Sequence, residues 1–289
     1  LVLDIVPVEG HSGKVARKPL GDTPPSGVGL GSVQPPVPKP AERPEARAAR
    51  SYKPVIVLDP GHGGHDGGAV RNGAVEKNIV LAFSLALRDR LNKSGRYKVL
   101  MTRDTDTFIP LSDRREFGER NKAALFIAIH ADYAGAQARG ATIYSLRPNV
   151  ANELKRSATG EVASSVLSDR DIKALKSGDE GDIGAVKGIL ADLAQREVLV
   201  TKERTSVFSR SVIEYMGAST NMMNNPERGA AFAVLRTAKV PAVLIELGYV
   251  SNKQDAGQLM SDAWRSKVSA SIETAIDNYF SHQLARLPM

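Results

Sequence analysis

LFIAIHAD, residues 125–132, decides how this chain folds. Leu125 to Ile129 are apolar at every position, so neither face of the segment alternates toward water. That pattern belongs to a central strand of a parallel sheet, covered on both sides. His130 then ends the run with an imidazole that needs a partner. Two other segments are built alike. VIVLDPGHGG (55–64) runs from Val55–Leu58 through Pro60 into a glycine-rich turn carrying His62. AVLIELGYVSN (242–252) ends its apolar strand on Glu246.

Between them, Ile79, Val80, Phe83, Leu87 and Leu91 recur at helical spacing, which predicts a helix over 76–92. Residues 97–102 read as a strand, 111–121 as a charged helix with Ser112 or Asp113 near its start, and 141–146 as a strand. A helix at 203–223, strands at 231–235 and 242–246, and a closing helix through Trp264, Val268, Ile272, Ile276, Tyr279 and Phe280 complete the reading. Strands alternating with helices predict an α/β fold with a mostly parallel central sheet covered on both faces. Ligands of open α/β sheets gather beyond the carboxyl ends of the strands. Parallel strands bring His62, His130 and Glu246 to one such edge.

A length of 289 residues allows one large domain or two small ones, and 42% hydrophobic residues support a real core. The absence of cysteine excludes disulfides and thiolate-held zinc, leaving His, Asp and Glu as ligands. A net charge of +7 suits an anionic partner such as a cell-wall polymer, a membrane surface or nucleic acid. The basic residues are scattered and not interleaved with aromatics, which argues against nucleic acid. No apolar run reaches the roughly 18 residues of a transmembrane helix. Residues 1–8 (LVLDIVPV) read as one short strand, 9–52 as a Pro-rich solvated linker, and 53–285 as the globular domain. Residues 149–202 break the rhythm with a polar helix-like piece at 160–176, a DEGD turn, and an amphipathic helix through Ile183, Val186, Ile189, Leu190 and Leu193. We read them as an insertion.

Two histidines and a carboxylate form a ligand set of catalytic zinc, and a further carboxylate can shuttle protons. Of five histidines, His62 and His130 follow or end apolar strands, where an unpaired imidazole is costly and a metal ion supplies the partner. Glu76 opens the first helix, where a carboxylate is favoured; alone, that position also fits an ordinary first-turn acid. Glu246 ends an apolar strand, so desolvation should raise its pKa toward the range of proton transfer; a salt-bridged structural acid is the plainer reading. His65, close to His62, reads as a solvated loop residue, with a place behind the ligands or facing substrate as the alternative, and His11 and His282 read as exposed. Arg103 and Arg114 either pair with carboxylates at the sheet end or meet carboxylates of a substrate. Asn252 is expected to cap a helix after Ser251.

DPGHGG (59–64), Glu76 in VEKN, Thr102-Arg103, LSDR (111–114), IAIHAD (127–132) and IELGYVSN (245–252), in this order, make residues 53–284 resemble the zinc-dependent N-acetylmuramoyl-L-alanine amidases, the amidase-3 family of bacterial cell-wall hydrolases. The resemblance implies a three-layer α/β/α sandwich and one Zn2+ per chain, held by His62, Glu76 and His130, with Glu246 as the catalytic carboxylate. It implies hydrolysis of the amide between the lactyl group of N-acetylmuramic acid and L-alanine in peptidoglycan, for septal splitting in cell division. In Gram-negative members of this type, an AMIN-type domain and a Pro-rich linker precede the amidase. Residues 1–8 would then be the last strand of a truncated AMIN-type domain, and the protein periplasmic, with its export signal upstream of Leu1. Residues 149–202 would be an autoinhibitory element over the zinc, displaced by a LytM-type activator, with Asp171 or Glu161 reaching the metal. A zinc carboxypeptidase or endopeptidase would use the same ligands on another bond, and a silent wall-binding module would need none of them.

Overall fold

The computed structural model describes residues 53–151, 180–237 and 239–284. The expected strand at 1–8, the linker to residue 52, His11, Glu161 and Asp171 lie outside the described residues. Within them the strands are β1 (Val55–Pro60), β2 (Val70–Arg71), β3 (Ala74–Val75), β4 (Lys98–Met101), β5 (Leu125–His130), β6 (Ala141–Leu146), β7 (Met222–Ala230) and β8 (Ala242–Glu246). The helices are α1 (Glu76–Ser94), α2 (Leu111–Arg120), α3 (Glu180–Gly217), α4 (Lys253–Leu259) and α5 (Asp262–Leu284), with a 3₁₀ turn at Ala233–Leu235. A six-stranded sheet has the order β4-β1-β5-β8-β6-β7. β4, β1, β5 and β8 run parallel. β6 is antiparallel to β8, and β7 is parallel to β6, so these two strands are reversed.

Alternation along the central strands sorts the core into two layers. Ile56, Leu58, Leu125, Ile127, Ile129, Val243 and Ile245 face one side, where α1, α3 and α5 cover them with Phe83, Leu87, Phe208, Val212, Ile272 and Ile276. Val57, Phe126, Ala128, Ala242 and Leu244 face the other, under Phe117 of α2 and Val234 and Leu235 of the 3₁₀ turn. Each strand has an apolar neighbour on both faces, which is why its sequence shows no polar alternation. The mixed α/β fold with helices on both faces is the one the sequence predicts.

α1 buries Ile79, Val80, Phe83, Leu87 and Leu91, and ends at Gly95 in the left-handed conformation (φ 70°), whose N–H bonds Asn92 O. Asn252 caps α4 as expected: its side-chain oxygen accepts from the N–H groups of Gln254 (3.0 Å) and Asp255 (3.2 Å).

Two elements depart from the sequence reading. The strand expected at 231–235 is instead β7, at Met222–Ala230, and 233–235 is a 3₁₀ turn whose Val234 and Leu235 plug the second core layer. β7 is an edge strand, exposed along most of its length, so it needs no apolar run. It also carries a bulge: β6 advances from Ala141 to Ile143 while β7 advances from Met222 to Glu227, with Pro226 inside the irregular stretch. Proline is tolerated at such edges and bulges. The second departure is α3. The helix expected within 149–202 and the one expected at 203–223 form one continuous element of 38 residues, about 57 Å long at the usual rise. The DEGD segment opens this helix from Glu180 onward instead of forming a turn, and the boundary at 202 falls inside it.

Candidate metal centre

The parallel register delivers the site. β1 and β5 pair through Pro60↔Ile129, and β5 and β8 end together at His130↔Glu246. His130 and Glu246 are therefore cross-strand neighbours at the carboxyl edge. Beyond β1 the chain turns sharply: His62 has φ 59°, the left-handed region that non-glycine residues seldom adopt. A bridge between Gly63 and Asp66 closes the turn with backbone bonds of 2.9 and 3.1 Å. Several glycines are sterically required, two of them by the site's own side chains. A Cβ on Gly61 would collide with the His130 ring, and one on Gly68 (φ 63°) would lie 2.6 Å from Glu76 Oε2 and 2.7 Å from His62 Cδ2.

The turn is held from beneath by two guanidinium groups. Arg103, 4% exposed, donates to the carbonyls of Pro60 (3.0 Å), Gly61 (2.7 Å), Lys77 (3.0 Å) and Thr105 (3.0 Å). Arg114, 2% exposed, donates to the carbonyls of Ile109 (2.8 Å), Pro60 (2.6 Å) and His62 (2.6 Å), and pairs with Asp59 at 2.9 Å. The left-handed turn leaves the carbonyls of Pro60, Gly61 and His62 beyond the regular ladder, and the planar fork of arginine satisfies several at once. Of the two roles open to these arginines, Arg114 takes the carboxylate pair at the sheet end. Neither offers a free guanidinium to a substrate. A third tie is Lys77, whose Nζ donates to Gly64 O (2.8 Å) and Asp106 Oδ2 (2.7 Å), while Asp106 Oδ1 accepts from Gly64 N–H (2.8 Å).

Glu76 opens α1 and is 1% exposed. Its Oε1 lies 3.1 Å from His62 Nε2 and 3.0 Å from His130 Nδ1, and accepts from Ala131 N–H at 3.0 Å. Its Oε2 accepts from Ala69 N–H at 2.8 Å. The two imidazole rings meet edge-on, centroids 5.0 Å apart. The free nitrogen of His62, Nδ1, bonds Asp66 Oδ2 at 2.9 Å, which orients the ring with Nε2 inward. Burial opposes charge on Glu76, but the bonds to His130 and His62 outweigh it and hold the carboxyl below the usual range. Burial likewise opposes charge on His62, yet Glu76 and Asp66 outweigh it and push its pKa up to about 9. His130 is raised in the same way by Glu76 and Glu246.

His62, Glu76 and His130 bring one donor atom each to within 4.8 Å of one another, the single such trio among the described residues. Tetrahedral zinc, with bonds near 2.0–2.1 Å, spaces its ligands by about 3.3 Å. The 3.0 and 3.1 Å separations in this trio are close to that spacing, and the nitrogen–carboxylate chemistry fits the ion.

Glu246 differs. It is 4% exposed, and among the described residues its Oε2 accepts one hydrogen bond, from Asp132 N–H at 3.1 Å. Burial, reinforced by the charges of Glu76 and Asp132, overcomes the pull of His130 and pushes its pKa up to about 7. It lines a cleft of about 470 Å³ together with His62, His130 and Asp132. Phe108, Leu111 and Phe232 supply apolar walls; the sequence reading quotes Leu111 only as the start of a helix and of LSDR, and names neither phenylalanine. Each is an isolated exposed apolar residue in a loop or at a helix start, a class too common to carry a signal. Asp66 and Asp132 were also missed as partners of the site, since their roles depend on turn geometry. His65 is exposed and stacks on Phe108 at 4.3 Å, and His282 is exposed.

Comparison with known proteins gives the family. AmiA of Escherichia coli K12, an N-acetylmuramoyl-L-alanine amidase, is 33% identical over 235 residues, covering 79% of this chain and 76% of that protein. AmiC of Escherichia coli O6:H1, of the same name, is 31% identical over 242 residues and covers 81% of this chain; the chain spans 55% of AmiC's length. Among solved structures, the catalytic domain of the amidase CwlV from Bacillus (Paenibacillus) polymyxa superposes with a TM-score of 0.54 at 25% identity, covering 79% of this chain and 98% of that one. CwlD of Clostridioides difficile, solved in complex with the GerS lipoprotein, shares the fold with a TM-score of 0.59 at 21% identity, over 80% of this chain and all of that one. Residues 56–278 match the Amidase_3 family, and the chain belongs to this family of N-acetylmuramoyl-L-alanine amidases.

Proposed function

We propose that this protein is a zinc-dependent hydrolase that cleaves the amide between the lactyl group of N-acetylmuramic acid and the L-alanine of the peptidoglycan stem. The observation that carries the reading is the convergence of His62, Glu76 and His130, with Glu246 paired beside His130. The three converging residues would hold one Zn2+, which supplies positive charge to polarise the amide carbonyl and to acidify water. The chain's own groups do the rest. Asp66 fixes the His62 ring, and the N–H groups of Ala69 and Ala131 fix both oxygens of Glu76. Glu246, kept in one position by Asp132 N–H, takes the proton of the attacking water and returns it to the leaving alanine nitrogen. Its raised pKa, about 7, suits a group that must both accept and release a proton near neutrality.

The finer assignments belong to the same reading: septal wall splitting in cell division, a periplasmic setting and control by a LytM-type activator acting through residues 149–202. They rest on the motif resemblance, while similarity to AmiA and AmiC supports the amidase activity itself. No helix among the described residues is long and apolar enough to cross a membrane. The domain plan of a truncated AMIN-type strand, linker and amidase domain belongs here too, as does a zinc contact from Asp171 or Glu161.

Digestion of purified sacculi by the zinc-loaded chain, followed by mass spectrometry, tests the bond. An amidase releases intact stem peptides and leaves bare glycan strands. Shortened stems would instead identify a carboxypeptidase or endopeptidase.

A further inference from the structure

A second cleft, of about 380 Å³, lies where three loops meet, and each loop adjoins a site residue in the chain. The β2–β3 hairpin runs directly into Glu76. Tyr133 follows His130 and Asp132. Ser251–Gln254 follow Glu246. The loops are stitched together: Asn72 Nδ2 donates to Val250 O (2.9 Å) and Ser251 O (3.1 Å), Ala134 N–H to Ser251 Oγ (3.2 Å), and Asn252 Nδ2 to Ala136 O (3.0 Å). Asn72 and Gly73, at φ 52° and 76°, make the tight two-residue turn that aims Arg71 outward. Asp132 lines the metal cleft and Tyr133 lines this one, so the two clefts meet at that dipeptide.

Their charges differ. The metal cleft carries Asp59, Asp66 and Asp132, and its Arg114 is committed to Asp59 and to backbone carbonyls. The second cleft is lined by Arg71 and Lys253 and by no Asp or Glu. Both cations are exposed, and neither has an ion-pair or hydrogen-bond partner among the described residues. Tyr133, 59% exposed, adds an aromatic face. Two uncommitted cations on a rigid wall favour a carboxylate-bearing ligand, through Coulomb attraction and charge-assisted hydrogen bonds.

We propose that the Arg71–Lys253 cleft binds the free carboxylates of the stem peptide, so that the chain selects acidic stems over amidated ones. The inference rests on the amidase reading: hydrolysis at the lactyl amide leaves the peptide as one of two arms of the substrate, and the peptide arm bears the carboxylates. The apolar cleft with Phe108 and Phe232 is left for the other arm.

The test compares two soluble muramoyl peptides, one with free stem carboxylates and one with each converted to a primary amide, cleaved by the zinc-loaded full chain and by Arg71→Glu/Lys253→Glu. The unaltered chain is expected to favour the acidic substrate about tenfold or more in kcat/KM, the effect of one or two charge-assisted contacts, and mainly through KM. The double variant is expected to lose or invert that ratio, and Arg71→Gln/Lys253→Gln to give an intermediate one. The same preference in all three proteins, or none in the unaltered chain, overturns the subsite while the amidase reading stands. Cleavage of neither substrate by any of them overturns both.

Discussion

The two halves of the metal cleft are held in opposite ways. The His62–Glu76 half is over-determined: seven donor bonds from Arg103 and Arg114 end on carbonyls around the turn, Lys77 and Asp106 strap it from the side, and Glu76 uses both oxygens. Among the described residues Glu246 has one backbone bond, and burial at the cleft wall sets its proton affinity. Ligands of an ion need fixed positions, and a proton shuttle needs a tuned affinity. Rigid hydrogen bonding gives the first, and desolvation gives the second.

Replacing the proposed shuttle, Glu246, tests this division at its largest effect. Glu246→Gln keeps size and burial but cannot carry the proton. Amide hydrolysis is expected to fall by about 10²–10⁴-fold with zinc stoichiometry unchanged, measured by muropeptide release beside metal analysis. A variant that also loses zinc would place Glu246 among the ligands and erase the contrast.

The rigid half should fail through stability. Arg114→Leu leaves the buried Asp59 carboxylate without its cation and removes the arginine donor from the carbonyls of Ile109 and His62, while Pro60 O keeps its bond from Arg103. Breaking a buried pair from one side costs about 3–5 kcal/mol, which urea unfolding of the variant would read. A loss below about 1 kcal/mol, the range of a surface pair, would mean the clamp is not what holds the turn. A milder probe is Asp66→Asn, which weakens the orientation of His62 without touching the trio. Zinc affinity by chelator competition is expected to drop about 10- to 100-fold, as for other partners of metal-bound histidines.

The smallest effect is in pH. In the metal-free chain His62 binds its proton more tightly than an unfolded histidine, with the pKa raised from 6.5 to about 9. Its contribution to stability is therefore complete below pH 6.5 and is lost as pH rises through about 9. The melting temperature of the metal-free chain should fall across that window. The zinc-loaded chain, in which the ion replaces the proton, should not show this fall.

How much of this was legible in the sequence follows from what each element needs. β1, β5 and β8 are buried on both faces, so their composition declares them, and their parallel direction brings His62, His130 and Glu246 to one edge. Glu76 was legible as a helix-opening acid, but its place between two imidazoles depends on Gly68 allowing the chain to fold back. β7 was not legible, because an exposed, bulged edge strand with Pro226 carries no apolar pattern. The unity of α3 was hidden for a related reason. Its outer half leaves Ile189, Leu193, Leu199 and Val200 exposed, while Phe208, Val212 and Met216 pack into the core, so its hydrophobic face changes character midway. The arginine clamp was legible only as a choice between partners: its acceptors are mostly backbone carbonyls, which every sequence contains.

The most direct test of the metal centre is zinc content after chelator dialysis and reloading, together with X-ray absorption at the zinc edge, for the unaltered chain and for His130→Ala. One ion per chain, with two imidazole nitrogens and a carboxylate oxygen in the first shell and loss of that ion in the variant, is the predicted result. An unaltered chain that takes up no zinc, or a His130→Ala chain that holds it equally well in the same shell, would contradict the account.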